Sequence, residues 1–224
     1  MLILSESLKN KYPGGLIGAV HFKNASNNEP SPSLQKLKED LQTTLRDRYR
    51  NHSRLDLGQT EPIKTYVDYY KHFRKTYHVL LQLESIVCKN KSIPNVSPLV
   101  TAMFMAELKN QYLTAGHDLD TINLPIRVDI SQGCERYTLL NGQDKELIQG
   151  DMMMIDGNAI ISSIVYGPDN PTQIKENTTN VIYVVYAPPG IKEDLLEHHL
   201  EDINQYVKAA SPDAALELQQ IFRI

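Results

Sequence analysis

The chain has 224 residues, an ordinary hydrophobic fraction of 41% and a formal net charge of −4. This length favours one domain with a large core, alone or with a small appendage, and no apolar run approaches the roughly 20 residues that span a bilayer. The N-terminus lacks the basic region and the cleavage site of a signal peptide, and two cysteines are too few for a disulfide framework. We therefore expect a cytoplasmic protein with reduced cysteines and no membrane partner.

The small net charge hides an asymmetry along the chain. Residues 34–91 carry 12 Lys and Arg against 7 Asp and Glu, a balance of +5, whereas residues 117–224 carry 7 against 17, a balance of −10. A basic region can bind a polyanion, and it can equally be the solvated faces of ordinary helices. The composition leaves both interpretations open.

The first predicted elements are a strand and an amphipathic helix. Residues 16–22 follow a Pro-Gly-Gly turn and read as a strand. A polar loop is predicted at residues 24–33. Leucines at helical spacing then predict a helix that ends near Arg50: Leu34, Leu37, Leu41 and Leu45. The whole region 24–92 is expected to be helical and rich in loops.

The segment that begins at residue 63 interleaves aromatic and basic side chains. Its rings are Tyr66, Tyr69, Tyr70, Phe73 and Tyr77, and its cations are Lys64, Lys71, Arg74 and Lys75. This mixture suits single-stranded nucleic acid, because bases stack on rings and phosphates pair with cations. Four of the rings also recur at helical spacing, which suits the buried face of a helix with the cations in solvent. The four cations are therefore candidate nucleic-acid contacts, with a solvated helix face as the alternative.

Residues 94–112 predict a helix with a well-defined start. Ser97 can cap it, and Pro98 suits its first position because the backbone N–H there has no helical partner to lose. An acidic loop with the sequence AGHDLDTI follows at residues 115–122. Short segments rich in β-branched and aromatic residues then run from residue 126 to residue 187. We expect them to form antiparallel strands, with hairpin turns at Asn141-Gly142 and Asp156-Gly157 that need positive φ.

The C-terminal region, residues 192–222, is predicted to be helical. Apolar residues at helical spacing mark a first helix, and Ser211-Pro212-Asp213 has the cap and the acidic first turn of a second, shorter one. The adjacent Glu197, His198 and His199 point in different directions and make a poor metal site.

The search for catalytic motifs leaves one polar cluster. The chain has no G-x-S-x-G, C-x-x-C, H-E-x-x-H or P-loop sequence, so neither a metal nor a cofactor is expected. In the acidic loop, His117 could accept a proton from water near neutral pH, with Asp118 orienting it. The alternative is structural, because aspartates in turns often bind only loop N–H groups.

The order of segments between residues 94 and 187 is distinctive. Asn95 and the SPLVTAMFMAEL helix come first, then GHDLDTI, then IRVDISQGCERYTLLNGQDKELIQGDMMMID, then Thr178 and Thr179 before the strand VIYVVYA. This order resembles the editing domain of the bacterial phenylalanyl-tRNA synthetase beta subunit, and free-standing proteins built from that domain alone. The resemblance implies an editing-type fold and hydrolysis of a mischarged aminoacyl-tRNA ester. Such an ester is labile enough that positioning water and substrate can suffice.

Two positions depart from that family. The family has a histidine where this chain has Ala115, and a glutamate that contacts tyrosine near the position of Val184. By position, the resemblance implies that the ends of the helix and strands line a pocket. The candidates are Asn95, Ser97, His117, Arg127, Ser162, Ser163, Thr178 and Thr179. Arg127 lies between apolar residues and could equally face solvent, and at least one of the two serines in the strand should be buried and hydrogen-bonded.

We expect an α+β fold with a layered, sandwich-like antiparallel β core flanked by helices, forming a single domain over residues 1–224. The leading hypothesis is that it binds aminoacyl-tRNA or its aminoacyl end, contacts tRNA through Lys64, Lys71, Arg74 and Lys75, and hydrolyses mischarged esters through His117 and Asp118. One alternative is a catalytically inactive module for an amino acid or a related small molecule, and another is an interaction protein that reuses the fold. DNA is not expected as a partner, and the oligomeric state stays open.

Overall fold

The computed structural model describes residues 2–28 and 31–224; Glu29 and Pro30, part of the predicted loop, lie outside the described residues. The helices are α1 (Glu6–Lys11), α2 (Pro32–Arg48), α3 (Arg54–Leu57), α4 (Ile63–His72), α5 (His78–Val87), α6 (Pro98–Asn110) and α7 (Glu193–Ala210). The strands are β1 (Leu2–Leu4), β2 (Leu16–Lys23), β3 (Thr114–Asp118), β4 (Ile126–Ile130), β5 (Arg136–Thr138), β6 (Asp144–Glu146), β7 (Met152–Ile155), β8 (Ile160–Ser163), β9 (Gly167–Pro168), β10 (Val181–Ala187) and β11 (Ala215–Arg223). In this part of the chain no helix is long and apolar enough to cross a membrane.

The strands form two main sheets and a separate hairpin. One sheet has the order β1-β4-β7-β8-β9, the other has the order β11-β2-β10-β3, and β5 pairs with β6. Every strand pair is antiparallel except β1 with β4. The predicted layered α+β fold is therefore confirmed, as are the antiparallel strands between residues 126 and 187.

The two predicted hairpin turns differ in what holds them. Gly142 has a φ of +81°, as the turn between β5 and β6 requires. The turn between β7 and β8 is held by the Asp156 carboxylate, which accepts the N–H groups of Asn158 and Ala159, both at 2.8 Å. Gly157 does not have the positive φ that was predicted. An aspartate that binds the turn backbone replaces that requirement.

Two segments near the predicted site and at the C-terminus have a different structure from the one predicted. Residues 115–118, expected as part of the loop at residues 115–122, belong to β3, because the backbone from Thr114 to Asp118 pairs along β10. Residues 215–223, expected to be helical, form β11, which pairs with β2 over its whole length. In both cases the backbone hydrogen bonds available at the edge of a partner strand outweigh the weak local preference of the sequence for a loop or a helix.

The aromatic rings of α4 and the following turn belong to the core. The Tyr66 hydroxyl donates to the carbonyl oxygen of Tyr186 in β10 at 2.6 Å. The Tyr70 hydroxyl donates to the carbonyl oxygen of Ile164, just after β8, at 2.6 Å. Tyr66 also stacks on Tyr77, with ring centroids 4.6 Å apart. Because these tyrosines are buried and reach both main sheets, the buried-face interpretation of this segment is confirmed, and the rings cannot stack on bases.

Helix α6 is enclosed by the rest of the fold, and none of its residues is exposed. Ser97 is its N-cap and Pro98 its first residue, as predicted, but the Ser97 hydroxyl makes no capping bond. The Asn27 side chain takes that role, because its Oδ1 accepts the Leu99 N–H at 2.9 Å.

An acid and an imidazole are buried where α6 meets β3 and α7. Glu107 Oε1 accepts the N–H of Thr114 at 2.8 Å. The Thr114 hydroxyl lies 2.9 Å from Nε2 of His199, whose ring stacks on Tyr112. Burial raises the pKa of Glu107 from 4.5 to about 8, because the low-dielectric interior disfavours a carboxylate.

The buried acid predicts a pH dependence of stability. The folded protein favours protonated Glu107, so its stabilising contribution is complete below pH 4.5 and is lost as the pH rises towards about 8. Glu107→Gln keeps an acceptor for Thr114 and removes this loss. Its free energy of unfolding should therefore exceed that of wild type increasingly from about pH 5 to about pH 8, by up to roughly 4 kcal/mol. Urea unfolding across this range measures the effect, with the exposed Glu197→Gln as control; equal slopes for wild type and Glu107→Gln would contradict it.

Candidate functional site

A cleft opens at the N-terminal end of α6. It has a volume of about 670 Å³ and lies between α2, the segment before α6 and the loop that follows β9. Its walls are lined by Asn27, Asn28, Ser31, Pro32, Leu34, Gln35, Lys38, Asn95, Val96, Ser97, Pro98, Thr101, Ile174, Lys175 and Glu176. Gly116 in β3 lies close behind the wall at Ile174, because a Cβ there would lie only 2.8 Å from the end of the Ile174 side chain. The predicted candidates Asn95 and Ser97 both line this cleft.

Lys38 is the most unusual side chain in the cleft. It is only 3% exposed, and it is the one Lys or Arg that is buried in the described part of the chain. Its Nζ donates to Oδ1 of Asn95. No carboxylate of the described residues lies within ion-pair distance of it. Burial lowers the pKa of Lys38, and the neighbouring Glu39 charge only partly opposes that shift.

The start of α6 adds further polar groups. Asn27 joins two walls of the cleft, since its Nδ2 donates to the carbonyl oxygen of Lys175 at 2.7 Å while its Oδ1 accepts from Leu99. The buried Ser97 Oγ has no hydrogen-bond partner among the described residues. Pro98 has no N–H and the Leu99 N–H is taken by Asn27. The partial positive charge of the helix end therefore remains as the feature of α6 that favours an anion or a polar oxygen.

His117 and Asp118 are buried in β3 rather than exposed in a loop. His117 is 0% exposed, and its Nδ1 lies 2.6 Å from the hydroxyl of Thr172, which itself donates to Asp169. The Thr172 oxygen therefore accepts from Nδ1–H, which leaves Nε2 an acceptor without a partner. Burial lowers the pKa of His117 to about 3. The catalytic role of His117 stays a prediction, and this buried position gives it no support.

Asp118 also makes structural bonds. Its Oδ2 accepts the hydroxyl of Thr178 at 2.7 Å, and its Oδ1 accepts the N–H of Asp120 at 3.1 Å. Thr178 is buried as well, and its oxygen accepts the N–H of Lys175 at 2.9 Å. These bonds fix the loop behind one wall of the cleft. They also use the Asp118 oxygens that would otherwise orient an imidazole.

The remaining candidates lie away from the cleft. Ser162 and Ser163 are buried in β8, where Ser163 Oγ accepts the Tyr166 N–H at 3.0 Å and Ser162 Oγ has no partner. Arg127 is half exposed and lies 3.6 Å from Asp129, which agrees with the solvent alternative. Thr179 is exposed and lines no part of the cleft. Their assignment as substrate contacts stays a prediction without geometric support.

The four predicted RNA-contacting cations divide into two kinds. Lys64 and Lys71 both pair with Asp68, at 2.7 Å and 3.6 Å. Lys75 instead lies 5.4 Å from the centroid of the Tyr166 ring, and Lys145, from β6, lies 4.5 Å from the same centroid. Two ammonium groups against one partly buried ring form a basic and aromatic surface. The sequence interpretation did not predict this surface, because Lys145 is distant from Lys75 along the chain. Arg74 is exposed beside it along the chain.

Lys38 and Asn27 were missed by the sequence interpretation. A signal for Lys38 was present, because residues 34, 38, 41 and 45 share one face of the amphipathic helix and are all buried. A lysine on the apolar face of a helix is the sequence feature that could have identified Lys38 as buried. Asn27 had no comparable signal, since its role depends on the approach of α6, which is 72 residues away. The described residues contain no group of three side chains able to hold a metal ion.

The chain is similar to a known protein family and to a solved structure. Residues 53–210 match the family model described as the B3/4 domain. Among solved structures, the chain resembles an N-terminal fragment of the phenylalanyl-tRNA synthetase beta subunit from Pyrococcus horikoshii, with 12% identity and a TM-score of 0.50. That match covers 100% of this chain and 54% of the fragment, so the chain spans about half of its length. The likeness shows the fold alone. No curated protein matches the chain.

The buried position of His117 predicts its titration. With a pKa of about 3, its imidazole should stay neutral between about pH 8 and about pH 5, where an unperturbed histidine would titrate. The exposed His198, whose pKa is raised chiefly by its bond to the Asp194 carbonyl oxygen, provides the control. Comparison of the histidine NMR titrations of wild type and His117→Gln assigns the His117 signal, and His198→Gln assigns the control signal. A His117 signal that titrates near pH 6.5 would show that solvent reaches the ring.

Proposed function

Because the chain belongs to the B3/4 domain family, we propose that it is a synthetase-related binding module whose α6 cleft takes the aminoacyl end of a tRNA. The observation that carries this proposal is the cleft itself. Its volume of about 670 Å³ lies within the range of roughly 300–1,000 Å³ that is usual for small-molecule sites. Its polar groups converge at the start of α6, as a site that orients a ligand requires.

The size of the cleft suits the unpaired end of an RNA strand better than an RNA duplex. An unpaired RNA terminus can place its last ribose and an attached aminoacyl group in a pocket of this size, because such a terminus is not constrained by base pairing. The apolar wall formed by Leu34, Val96 and Ile174 offers a surface for a side chain or a base. The amide Nδ2 of Asn95 and the hydroxyl of Thr101, both in the lining of the cleft, can meet ribose hydroxyls.

A second surface supports contact with the RNA backbone. Lys75 and Lys145 flank Tyr166, and this combination of cations and a ring suits phosphates and an unstacked base. Lys64 and Lys71 are weaker candidates, because the Asp68 carboxylate lies against both. A tRNA ligand would agree with the predicted cytoplasmic location.

We propose binding rather than hydrolysis as the function of the cleft. The predicted base, His117, is buried and is not among the residues that line the cleft, which supports binding over hydrolysis. A free amino acid is a second candidate ligand, and the buried Lys38 favours it because a carboxylate would neutralise that cation. An incubation with mischarged tRNAs tests hydrolysis directly, and deacylation that disappears in His117→Gln would contradict a purely binding role.

The cleft can be blocked from its rim. Val96 is 55% exposed and lines the cleft, so Val96→Trp should fill space there without disturbing the core. The variant should then bind a tRNA roughly tenfold or more weakly than wild type does. Wild type should show a similar loss when the same tRNA lacks its 3′-terminal CCA, since each lost base stack costs ~1–3 kcal/mol. Fluorescence anisotropy measures both. Leu195→Trp, at a position 48% exposed on α7, is the control. Equal affinity with and without the CCA end would contradict the assignment of the cleft.

The basic surface predicts a specific salt dependence. Replacing both Lys75 and Lys145 by Ala should reduce the slope of log K against log salt by about 0.7–0.9 for each phosphate contact that is lost. The matched control replaces Lys64 and Lys71, which already pair with Asp68 and should change the slope less. A larger loss of slope in the Lys64 and Lys71 double variant than in the Lys75 and Lys145 double variant would show that RNA lies along α4 instead.

A further inference from the structure

We propose that Lys38 makes the α6 cleft an oxyanion site, which takes a ligand carboxylate or phosphate against the buried ammonium group. The location of this site rests on the proposed function, but the charge of its ligand does not follow from it. An aminoacyl ester carries no carboxylate, so a requirement for an anion adds a restriction on what can bind. Two ligands supply this chemistry: the carboxylate of a free amino acid and a phosphate of an RNA 3′ end.

The first argument is the environment of Lys38 compared with that of the other lysines. Lysines that pair with acids in this protein, such as Lys9, Lys64 and Lys109, have side chains that are at least 40% exposed. Lys38 is buried, and its described polar partner is the neutral amide of Asn95. Burying an ammonium without a counter-ion is costly. A ligand anion would supply the charge that the described residues do not.

The second argument is the number of free donors on Lys38. An ammonium group has three N–H donors, of which Asn95 uses one. Lys38 lines the cleft, and among the described residues its ammonium group has no second hydrogen-bond partner. The unpartnered hydroxyl of Ser97 and the positive end of α6 lie in the same cleft. Charge-assisted donors beside a helix N-terminus form the usual setting for a bound oxyanion.

Two acids of the described residues lie close to Lys38 or line its cleft, and neither fills this role. Glu39 is its neighbour on α2, but it is exposed and Gln35 donates to its Oε1 at 2.6 Å. Glu176 lines the cleft without forming an ion pair with Lys38. Glu176 would instead suit the ammonium group of an amino acid whose carboxylate meets Lys38.

The alternative is that Lys38 only ties α2 to the segment before α6 through Asn95. Two variants separate these roles. Lys38→Gln retains a donor for Asn95 and removes the charge, whereas Lys38→Met removes both. If the lysine is structural, Lys38→Met should unfold at a lower temperature. If it serves a ligand, both variants should be as stable as wild type, because replacing a buried charge that no described acid neutralises by a neutral group relieves a cost.

The binding test uses calorimetry with two sets of probes on wild type, Lys38→Gln, Lys38→Met and the exposed neighbour control Lys36→Met. The first set is a panel of free amino acids, whose carboxylate is the charge under test, and their carboxamides, in which that carboxylate is replaced by a neutral amide. The second is a CCA trinucleotide and its analogue with neutral methylphosphonate linkages. Wild type should bind a charged probe and not its neutral counterpart, which identifies the source of the anion. Both Lys38 variants should bind it about 10- to 150-fold more weakly, and Lys36→Met should bind like wild type.

The outcomes distinguish this inference from the proposed function. If Lys38→Gln binds a charged probe as tightly as wild type, or if the neutral counterpart binds equally well, the oxyanion site is overturned. If tRNA binding depends on Val96 and on the CCA end but not on Lys38, only the oxyanion site fails. If wild type binds no amino acid, trinucleotide or tRNA, both proposals fail together.

Discussion

The burial of α6 is the constraint on which the rest of the structure depends. Residues from Leu99 to Leu108 pack against β3, α2 and α7, and even the acid Glu107 lies inside this packing. A helix enclosed along its length can present polar groups only at its ends. Its N-terminus opens on the cleft, with Asn27 bonded to its first turn and Gly116 close behind the wall at Ile174. The cleft is therefore a consequence of how the core is packed.

Much of the fold could be predicted from the sequence because its signals are local. Helix α6 has a serine and a proline at its start, and Asn141-Gly142 marks a hairpin turn. The spacing of the tyrosines indicated a buried face, and their hydroxyls reach backbone carbonyls in both sheets. The strands β3 and β11 could not be predicted in this way. Each depends on the edge of a partner strand that is distant in sequence, and local composition at Gly116-His117 or Ser211-Pro212 pointed to a loop and a helix cap.

The site was only partly predictable for the same reason. Asn95 and Ser97 were identified by their place before a recognisable helix, and they do line the cleft. His117 was chosen because it stands beside an acid, but its environment is decided by the pairing of β3 with β10. Lys38 was overlooked because lysines on amphipathic helices normally face solvent. The position of Lys38 on the leucine stripe of α2, and not its charge, distinguishes it from the other lysines of the basic N-terminal half.

The most direct test of this account is to map the contact of a CCA-ended RNA stem on the protein by backbone NMR. The account predicts that the amide shifts change most around Asn27, at residues 31–38 and at residues 95–101, which enclose the cleft. Smaller changes are expected near Lys75 and Lys145. Changes confined to the surface around Tyr166, with the start of α6 unaffected, would contradict the claim that the cleft is the binding site.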